Sequence, residues 1–379
     1  LIVVQHVQAA SAPDSGPLFL GIISGQRRRS HAEVADRAAR IAGGLQRFGV
    51  KQGDSVCILM RNDIAFIEAA YAAMRLGAYA VPVNWHFKPE EINYVLKDSG
   101  TSVLIGHADM LHQLRDTIPA GVTVLSAPTP PEILANYKID PDHLATPDFA
   151  VDLEAWLEQQ RPYDGPALPQ PQNMIYTSGT TGHPKGVRRN APTPEQTVAS
   201  ERLRALIYGL KPGVRALLPG PLYHSAPNSF GLRSGRLGGV LVLMPRFDPE
   251  EFLRLIQDQR IDTIFMVPTM FVRLMKLPEA VRRKYDTSSL RHVVHAAAPC
   301  PADVKRAMIE WWGPVIYEYY GSTESSALTF ANSDDALRKP GTVGKILSGV
   351  LCHEHRRSTR RCVTVREMKE GPSRSAIRC

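Results

Sequence analysis

Residues 55–83 read Ser55-Val-Cys-Ile-Leu-Met60, then Asp63-Ile-Ala-Phe-Ile-Glu-Ala-Ala-Tyr-Ala-Ala-Met-Arg-Leu76, then Gly77 and Ala78-Tyr-Ala-Val-Pro-Val83. The outer pieces are short apolar runs of strand length. The middle piece has helix length and is stopped by a glycine. The alternation extends both ways. Upstream, Ser30 with Glu33 forms a capping-box signature, and Val34, Ala38, Ile41, Leu45 and Phe48 follow at helical spacings up to Gly49. Downstream come a helix over Pro89–Lys97 and strands over Thr101–Ile105 and Val122–Leu125. Strand and helix in alternation predict an α/β fold with a largely parallel sheet.

Nine prolines fall between Ala127 and Gln172, with one helix expected near Val151–Gln159, so this stretch reads as a connector between two α/β halves. In the second half strands are expected at Asn173–Tyr176, Ala216–Leu218, Gly239–Leu243, Thr263–Val267, His292–His295 and Val315–Tyr319. Helices are expected notably at Pro249–Gln259 and Ala302–Trp311.

Composition excludes several classes. With 379 residues, 44% apolar and 22% charged, the chain is neither disordered nor collagen-like, and five widely spaced cysteines do not make a disulfide framework. No apolar segment reaches the ~18 uncharged residues of a membrane span, and Leu1–Ala10 fits a secretory signal poorly, so a cytoplasmic site is expected. The net charge of +8 is unevenly placed: residues 351–379 hold eight Lys/Arg against three Glu, together with Cys352, Cys362 and Cys379. This tail, from Ile346, shows no helical or strand period. Cys352-His-Glu-His355 with Cys362 fits no strong zinc pattern. The arginine pairs at 356–357 and 360–361, with Arg27 to Arg29, read as solvated charge, and no nucleic-acid partner is expected.

Chemistry concentrates in Ile175-Tyr-Thr-Ser-Gly-Thr-Thr-Gly-His-Pro-Lys-Gly186. Gly179, Gly182 and Gly186, the hydroxyls of Thr177, Ser178, Thr180 and Thr181, and the cation Lys185 directly follow a strand. Such a loop can turn backbone N–H groups inward as an anion nest and set one positive charge against phosphate oxygens. It is not a Walker A loop, because Pro184 precedes the lysine and Gly186-Val187 follow it. The plainer alternative is a Ser/Thr-Gly surface turn.

Tyr176 to Gly186 resembles the phosphate-loop signature of the adenylate-forming superfamily, which includes acyl-CoA synthetases, peptide-synthetase adenylation domains and luciferases. Pro221-Leu-Tyr-His-Ser-Ala226 resembles that family's aromatic/His segment beside the acyl site. Val267-Pro-Thr-Met270 and His295-Ala-Ala-Ala-Pro299 resemble its pocket and adenine-side segments. Tyr317-Glu-Tyr-Tyr-Gly-Ser-Thr-Glu324 resembles its second nucleotide motif, and Pro340-Gly-Thr-Val-Gly-Lys345 the turn after it.

The resemblance implies a fold of two packed αβα-type sheets, the family's N-terminal domain, over residues 1–345. The terminal barrel would be incomplete, the small C-terminal domain absent, and 346–379 a tail outside the family pattern. It implies ATP, Mg²⁺ and coenzyme A, and a two-step ligation of a carboxylic acid through an acyl-adenylate. Lys185, His224, Thr323 and Glu324 would be catalytic. Thr177, Ser178, Gly179, Thr180, Thr181, Gly182, Lys185, Ala297, Ala298, Glu318, Tyr319, Tyr320, Gly321 and Thr323 would surround the nucleotide. Thr177 and Glu324 would hold the metal, and Tyr223, His224, Ala226 and Val267 would line the acyl pocket.

The residues themselves allow a second account of several of these. Tyr320 can lay its ring on adenine beside the small Ala297 and Ala298, or Tyr319 and Tyr320 can be core aromatics at a strand end. Glu324 suits a hard cation, or equally a helix start. His224 can orient a carboxylate or be a structural histidine. Tyr223 to Phe230 contains no carboxylate to pair a substrate ammonium, which favours an apolar acid over an amino acid. No Asp follows Asp335, and neither Lys345 nor Lys369 has the context of the family's adenylation lysine. The family's ribose anchor and that lysine are therefore not expected here. The tail would then be an out-of-frame or misassembled end. An impaired ligase, a non-catalytic nucleotide binder and an aryl- or amino-acid-activating relative all stay open.

Overall fold

The computed structural model describes residues 19–166, 168–171, 173–177, 184–189, 191–323, 326–347, 352–354 and 363–365. The chain opens with a hairpin of β1 (Gly21–Ser24) and β2 (Arg27–Arg29). Five parallel strands come next: β3 (Ser55–Leu59), β4 (Tyr79–Pro82), β5 (Val103–His107), β6 (Thr123–Ala127) and β7 (Val151–Asp152). A second hairpin pairs β8 (Ile175–Thr177) with β9 (Lys185–Val187). Then come β10 (Arg215–Leu218), β11 (Val240–Leu243), β12 (Thr263–Met266), β13 (His292–His295), β14 (Ile316–Ser322), β15 (Ser326–Ala331) and β16 (Lys345–Ile346). A last pair, β17 (Cys352–Glu354) and β18 (Val363–Val365), lies where no strand period is visible in the sequence.

The helices are α1 (His31–Arg47), α2 (Ile64–Arg75), α3 (Pro89–Asp98), α4 (Ala108–Leu111), α5 (Pro131–Leu134), α6 (Leu153–Glu158) and α7 (Pro194–Tyr208) in the first part. They continue with α8 (Ser225–Ser234), α9 (Pro249–Asp258), α10 (Pro268–Met275), α11 (Glu279–Lys284), α12 (Ala302–Trp312) and α13 (Ser333–Arg338).

Two sheets result, in the orders β4-β3-β5-β6-β7 and β16-β15-β14-β13-β12-β10-β11-β1-β2. One core, fed by α1, α2 and both sheets, fills the layer between them. A second lies under α9, α10 and α12, and a third under α3 and α4. The layering is therefore helix, sheet, helix, sheet, helix, as expected of two packed αβα sheets. Helix α2 explains the inner layer. Ile64, Phe66 and Ile67 are fully buried on it, together with its alanines at 69, 70, 72 and 73, because a helix between two sheets must be apolar all round. Each of the three large side chains contributes about 1.5–3 kcal/mol by burial. Asp63 caps its start, and Gly77, at φ +63°, turns the chain into β4.

The capping box of α1 is present, and Val34, Ala38, Ile41 and Leu45 are buried as their spacing predicts. Phe48 is not: it is exposed at the helix end and stacks on Trp156 at 5.4 Å. The first hairpin is not legible as strands in the sequence, and it carries the larger surprise. β1 pairs in parallel with β11, so the start of the chain belongs to the second sheet and ties the halves together. The Pro-rich connector also contributes more than a link. Val151–Asp152, read as the start of a helix, is instead the edge strand β7, and the helix begins at Leu153.

Arg27 and Arg29 are neither phosphate ligands nor free surface charge. Arg27 pairs with Asp63 and Glu132, and Arg29 shares the fully buried Glu68 with Arg37, while Arg28 stacks over Phe19. Cys57 and Cys300 are free and buried, and burial pushes each thiol up to about 11. The candidate zinc cluster and the arginine pairs of the tail fall on side chains outside the described set. No helix among the described residues is long and apolar enough to cross a membrane.

Candidate active site

The six parallel strands β1, β11, β10, β12, β13 and β14 end along one edge of the nine-stranded sheet. The predicted segments lie just past those ends, which is where open α/β sheets take ligands. Tyr223 and His224 come after β10, Val267 after β12, and Ala297 and Ala298 after β13. The stretch from Glu318 to Thr323 forms the end of β14 and the start of the turn beyond it.

The predicted phosphate loop is flanked by the paired strands β8 and β9. Ser178, Gly179, Thr180, Thr181 and Gly182 lie outside the described residues, but the flanks are defined. Thr177 stands opposite Lys185 in the register, and Tyr176 opposite Gly186. A Cβ at Gly186 would come within 2.7 Å of the Tyr176 ring, so this glycine lets the hairpin close. The Tyr176 hydroxyl donates to Asp98 at 2.7 Å, and burial with the Asp98 charge raises its pKa. Lys185 is exposed and forms no ion pair among the described residues, and the half-buried Thr177 hydroxyl has no hydrogen-bond partner among them.

Arg189, just beyond β9, donates from Nη2 to the backbone carbonyl of Thr323. One hydrogen bond thereby joins the segment after β9 to the turn after β14, and so two stretches predicted to hold nucleotide, across 134 residues of chain. Nothing in the sequence singles out Arg189.

The β13/β14 register sets His295 beside Glu318; Ala297 follows the end of β13, and Tyr320 lies further along β14. Tyr320 is 48% exposed, and Ala297 and Ala298 are exposed as well. Ala297 has φ +76°, a conformation that costs a non-glycine residue and persists where the surroundings impose it. The register of β14 against β15 shifts between Tyr320 and Gly321, a bulge that re-aims the strand end. Tyr319 and Glu318 take other surroundings. Tyr319 is packed against Tyr208 at 6.1 Å, with burial holding its hydroxyl well above the usual phenol range. Glu318 is buried and paired with Lys305 from α12. Both support the strand, while Tyr320 presents its ring. Glu324 lies outside the described residues.

At the acyl-side motif, His224 stands at the start of α8. Its ring is reached by solvent but recessed among protein atoms. This desolvation, together with His86, lowers its pKa and keeps the ring neutral. Tyr223 lies 4.4 Å from it ring to ring, and Trp85 and His86 approach Tyr223 edge-on at 6.2 and 6.3 Å. Ala226 and Val267 are half-buried at the inner core. Trp85, His86 and Tyr137, which forms an edge contact with Trp85 at 5.6 Å, escape the sequence reading. Their signal is nonetheless available: large aromatics in loops directly after a strand and in the connector.

A family model for "AMP-binding enzyme" matches residues 6–362. The chain belongs to the AMP-binding enzyme family. Among its curated relatives, long-chain-fatty-acid–CoA ligase FadD13 of Mycobacterium tuberculosis is 30% identical over 327 residues, covering 84% of this chain and 59% of its own length. Feruloyl-CoA synthase of Amycolatopsis sp is 32% identical over 306 residues, covering 78% and 55%. The crystal structure of anthranilate CoA ligase AuaEII in complex with anthranoyl-AMP superposes with a TM-score of 0.75 at 22% identity, covering 89% of this chain and 63% of that one. The fold is thus that of adenylate-forming enzymes. The chain spans little more than half the length of the curated relatives it matches.

Proposed function

We propose that this AMP-binding chain activates a carboxylic acid with ATP. A carboxylate oxygen of the acid attacks the α-phosphorus and the bond to pyrophosphate breaks, giving acyl-adenylate. The thiol of coenzyme A then attacks the acyl carbonyl, AMP leaves, and a thioester forms. The observation that carries this reading is the Arg189–Thr323 bond, which holds the phosphate hairpin against the strand end that presents Tyr320.

In this reading Lys185 neutralises the β/γ-phosphates and the loop N–H groups from Ser178 to Gly182 bind the leaving pyrophosphate, so catalysis is positioning and charge stabilisation. Tyr320 stacks on adenine, with Ala297 and Ala298 leaving room for the base. The unpartnered Thr177 hydroxyl and the carboxylate of Glu324 are hard oxygen donors of the kind Mg²⁺ takes, and they would hold it. When bound, the ion supplies charge neutralisation at the phosphates. Neutral His224 orients the acid carboxylate. Tyr223, Ala226 and Val267 form an apolar wall with no carboxylate among residues 223–230, which favours a hydrophobic acid, a fatty acid before an aryl one.

Pyrophosphate release measured with a panel of fatty, aryl and amino acids tests this. Turnover with fatty acids and coenzyme A is expected, below the ~1–10³ s⁻¹ typical of enzymes, because neither Lys345 nor Lys369 has the context of the family's adenylation lysine. Nucleotide binding by calorimetry without pyrophosphate release from any acid would make the chain a nucleotide binder and sink the ligase reading. Lys185→Ala and Glu324→Ala are both expected to weaken ATP binding.

A further inference from the structure

Strand β3 pairs with β4 on one side and β5 on the other, so the chain leaves β3 towards β4 and leaves β5 in the opposite direction, towards β6, and the crevice of the switch point lies beyond the carboxyl ends of β3 and β5, the general ligand position of parallel open sheets. A cavity of about 70 Å³ occupies it, lined by Leu59, Arg61, Trp85, Phe87, Asp109 and Met110 among others. At ~10–15 Å³ per water this is room for roughly five waters, too little to enclose a nucleotide or an acyl chain.

Arg61 is 9% exposed and firmly held. Its Nη1 donates to Asp109 at 2.8 Å, and Asp109 also accepts from the Thr129 hydroxyl at 2.7 Å. The guanidinium carbon lies 5.3 Å from the Trp85 ring centroid and 4.5 Å from that of Tyr137. Its buried Nε has no hydrogen-bond partner, and Nη2 makes none among the described residues. Leaving a buried guanidinium N–H unmet is costly. Nε with Nη2 is the two-donor edge that fits two oxygens of one carboxylate or phosphate.

The chain itself shows what such an edge takes. Arg27 gives Nε to Glu132 at 2.9 Å and Nη2 to Asp63. Arg37 gives Nε to Glu68 at 2.9 Å and Nη2 to Glu154 at 2.6 Å. Each holds two acids, whereas Arg61 holds one and is among the residues that line a cavity. Arg215, Arg233 and Arg282 also have one buried unpartnered nitrogen, but none of them lines this cavity.

We propose that the crevice at the carboxyl ends of β3 and β5 is a small-oxyanion site, in which the Nε/Nη2 edge of Arg61 binds a phosphate or a short carboxylate group. Trp85 and Tyr137 pack on the guanidinium, and Asp109 fixes its other edge. The site does not include Lys185 or the phosphate hairpin, and the proposal stands whether or not the chain is a ligase.

Calorimetric titration of the full chain with inorganic phosphate and, separately, with propionate tests it, in a Lys185→Ala background that removes the loop cation. Saturable binding of at least one is expected, and the two arms tell a phosphate source from a carboxylate source. In that background Arg61→Lys keeps the charge and the pairing with Asp109 but loses the fork, and is expected to weaken binding about tenfold while melting like its parent. Arg61→Gln should abolish it. No saturable binding of either anion by a folded chain would overturn the proposal, as would binding unchanged in Arg61→Lys.

Discussion

The contact between the two sheets has two edges with opposite chemistry. On the side of β2 and α2, charged groups are buried against one another: Asp63 meets Arg27 and His107, and Glu68 meets Arg29 and Arg37. On the carboxyl edge of the nine-stranded sheet, Lys185, Tyr320 and Ala297 are exposed, and Thr177 has no described partner. A buried charge must be paired to be tolerated, so the first edge is built to hold the layers together. The second keeps donors and a flat ring unpaired, which is useful only when a ligand arrives. Substitutions at the first edge are expected to change stability, and those at the second to change binding.

The largest effect is expected from Asn62→Ala. Buried Asn62 donates to the carbonyls of Gly220 at 2.8 Å and Met244 at 3.0 Å, and accepts from the Leu222 amide at 2.8 Å. It clamps α2 to the ends of β10 and β11. Three backbone groups left unmet should cost about 3–5 kcal/mol, read by urea denaturation. A loss below ~1 kcal/mol would deny this clamp its structural role.

Asp63→Asn comes next, and it acts through pH. Burial alone would raise the Asp63 pKa. The hydrogen bond from His107 and the charge of Arg27 overturn that and bring it from 3.8 to about 2. The ionised acid is therefore favoured in the fold. Its stabilisation is complete above about pH 4 and disappears as pH falls through about 2, a contribution on the order of 2 kcal/mol. The variant keeps a capping side chain but should lose this acid-limb slope in denaturation measured from pH 5 to 2.

The contrast between the edges also decides what is legible in the sequence. Alternating apolar runs show the elements of both sheets, because burial on both faces leaves uninterrupted strands such as His292–His295, found as expected. Loop glycines and hydroxyls mark the predicted phosphate loop between β8 and β9, because the pattern that suggests it is local. The first hairpin escapes such a reading: Gly21–Ser24 is four residues long and its partner β11 lies more than two hundred residues away. Arg61, Trp85 and Tyr137 meet through three separate loops, and no spacing rule reaches across them. Glu318 and Tyr320 look alike in the motif, yet their surroundings differ, one being paired with Lys305 and the other open to solvent.

At the ligand edge, Tyr320→Ala should weaken nucleotide binding by about 1–3 kcal/mol, the range for an aromatic stacked on a base, with Tyr320→Phe near the parent value. Calorimetry with ATP reads both. Equal affinity in all three would remove Tyr320 from the nucleotide site, and a large fall in melting temperature for Tyr320→Ala would move it to the structural edge.

Arg189→Lys probes the joint between the two nucleotide motifs and should have the smallest effect. Lysine keeps the positive charge near the phosphate hairpin but reaches the Thr323 carbonyl with a point donor on a flexible stem instead of a planar fork. A charge-assisted hydrogen bond is worth about 1.5–3 kcal/mol when lost outright, and a lysine that retains part of it should lose roughly 1 kcal/mol. ATP affinity should then fall about fivefold, while urea stability stays within ~0.5 kcal/mol of the parent, since Arg189 bridges two surface segments and not the layers. If stability fell more than affinity, the Arg189–Thr323 bond would belong with the paired charges of the first edge. The nucleotide motifs would then be aligned by the sheet alone.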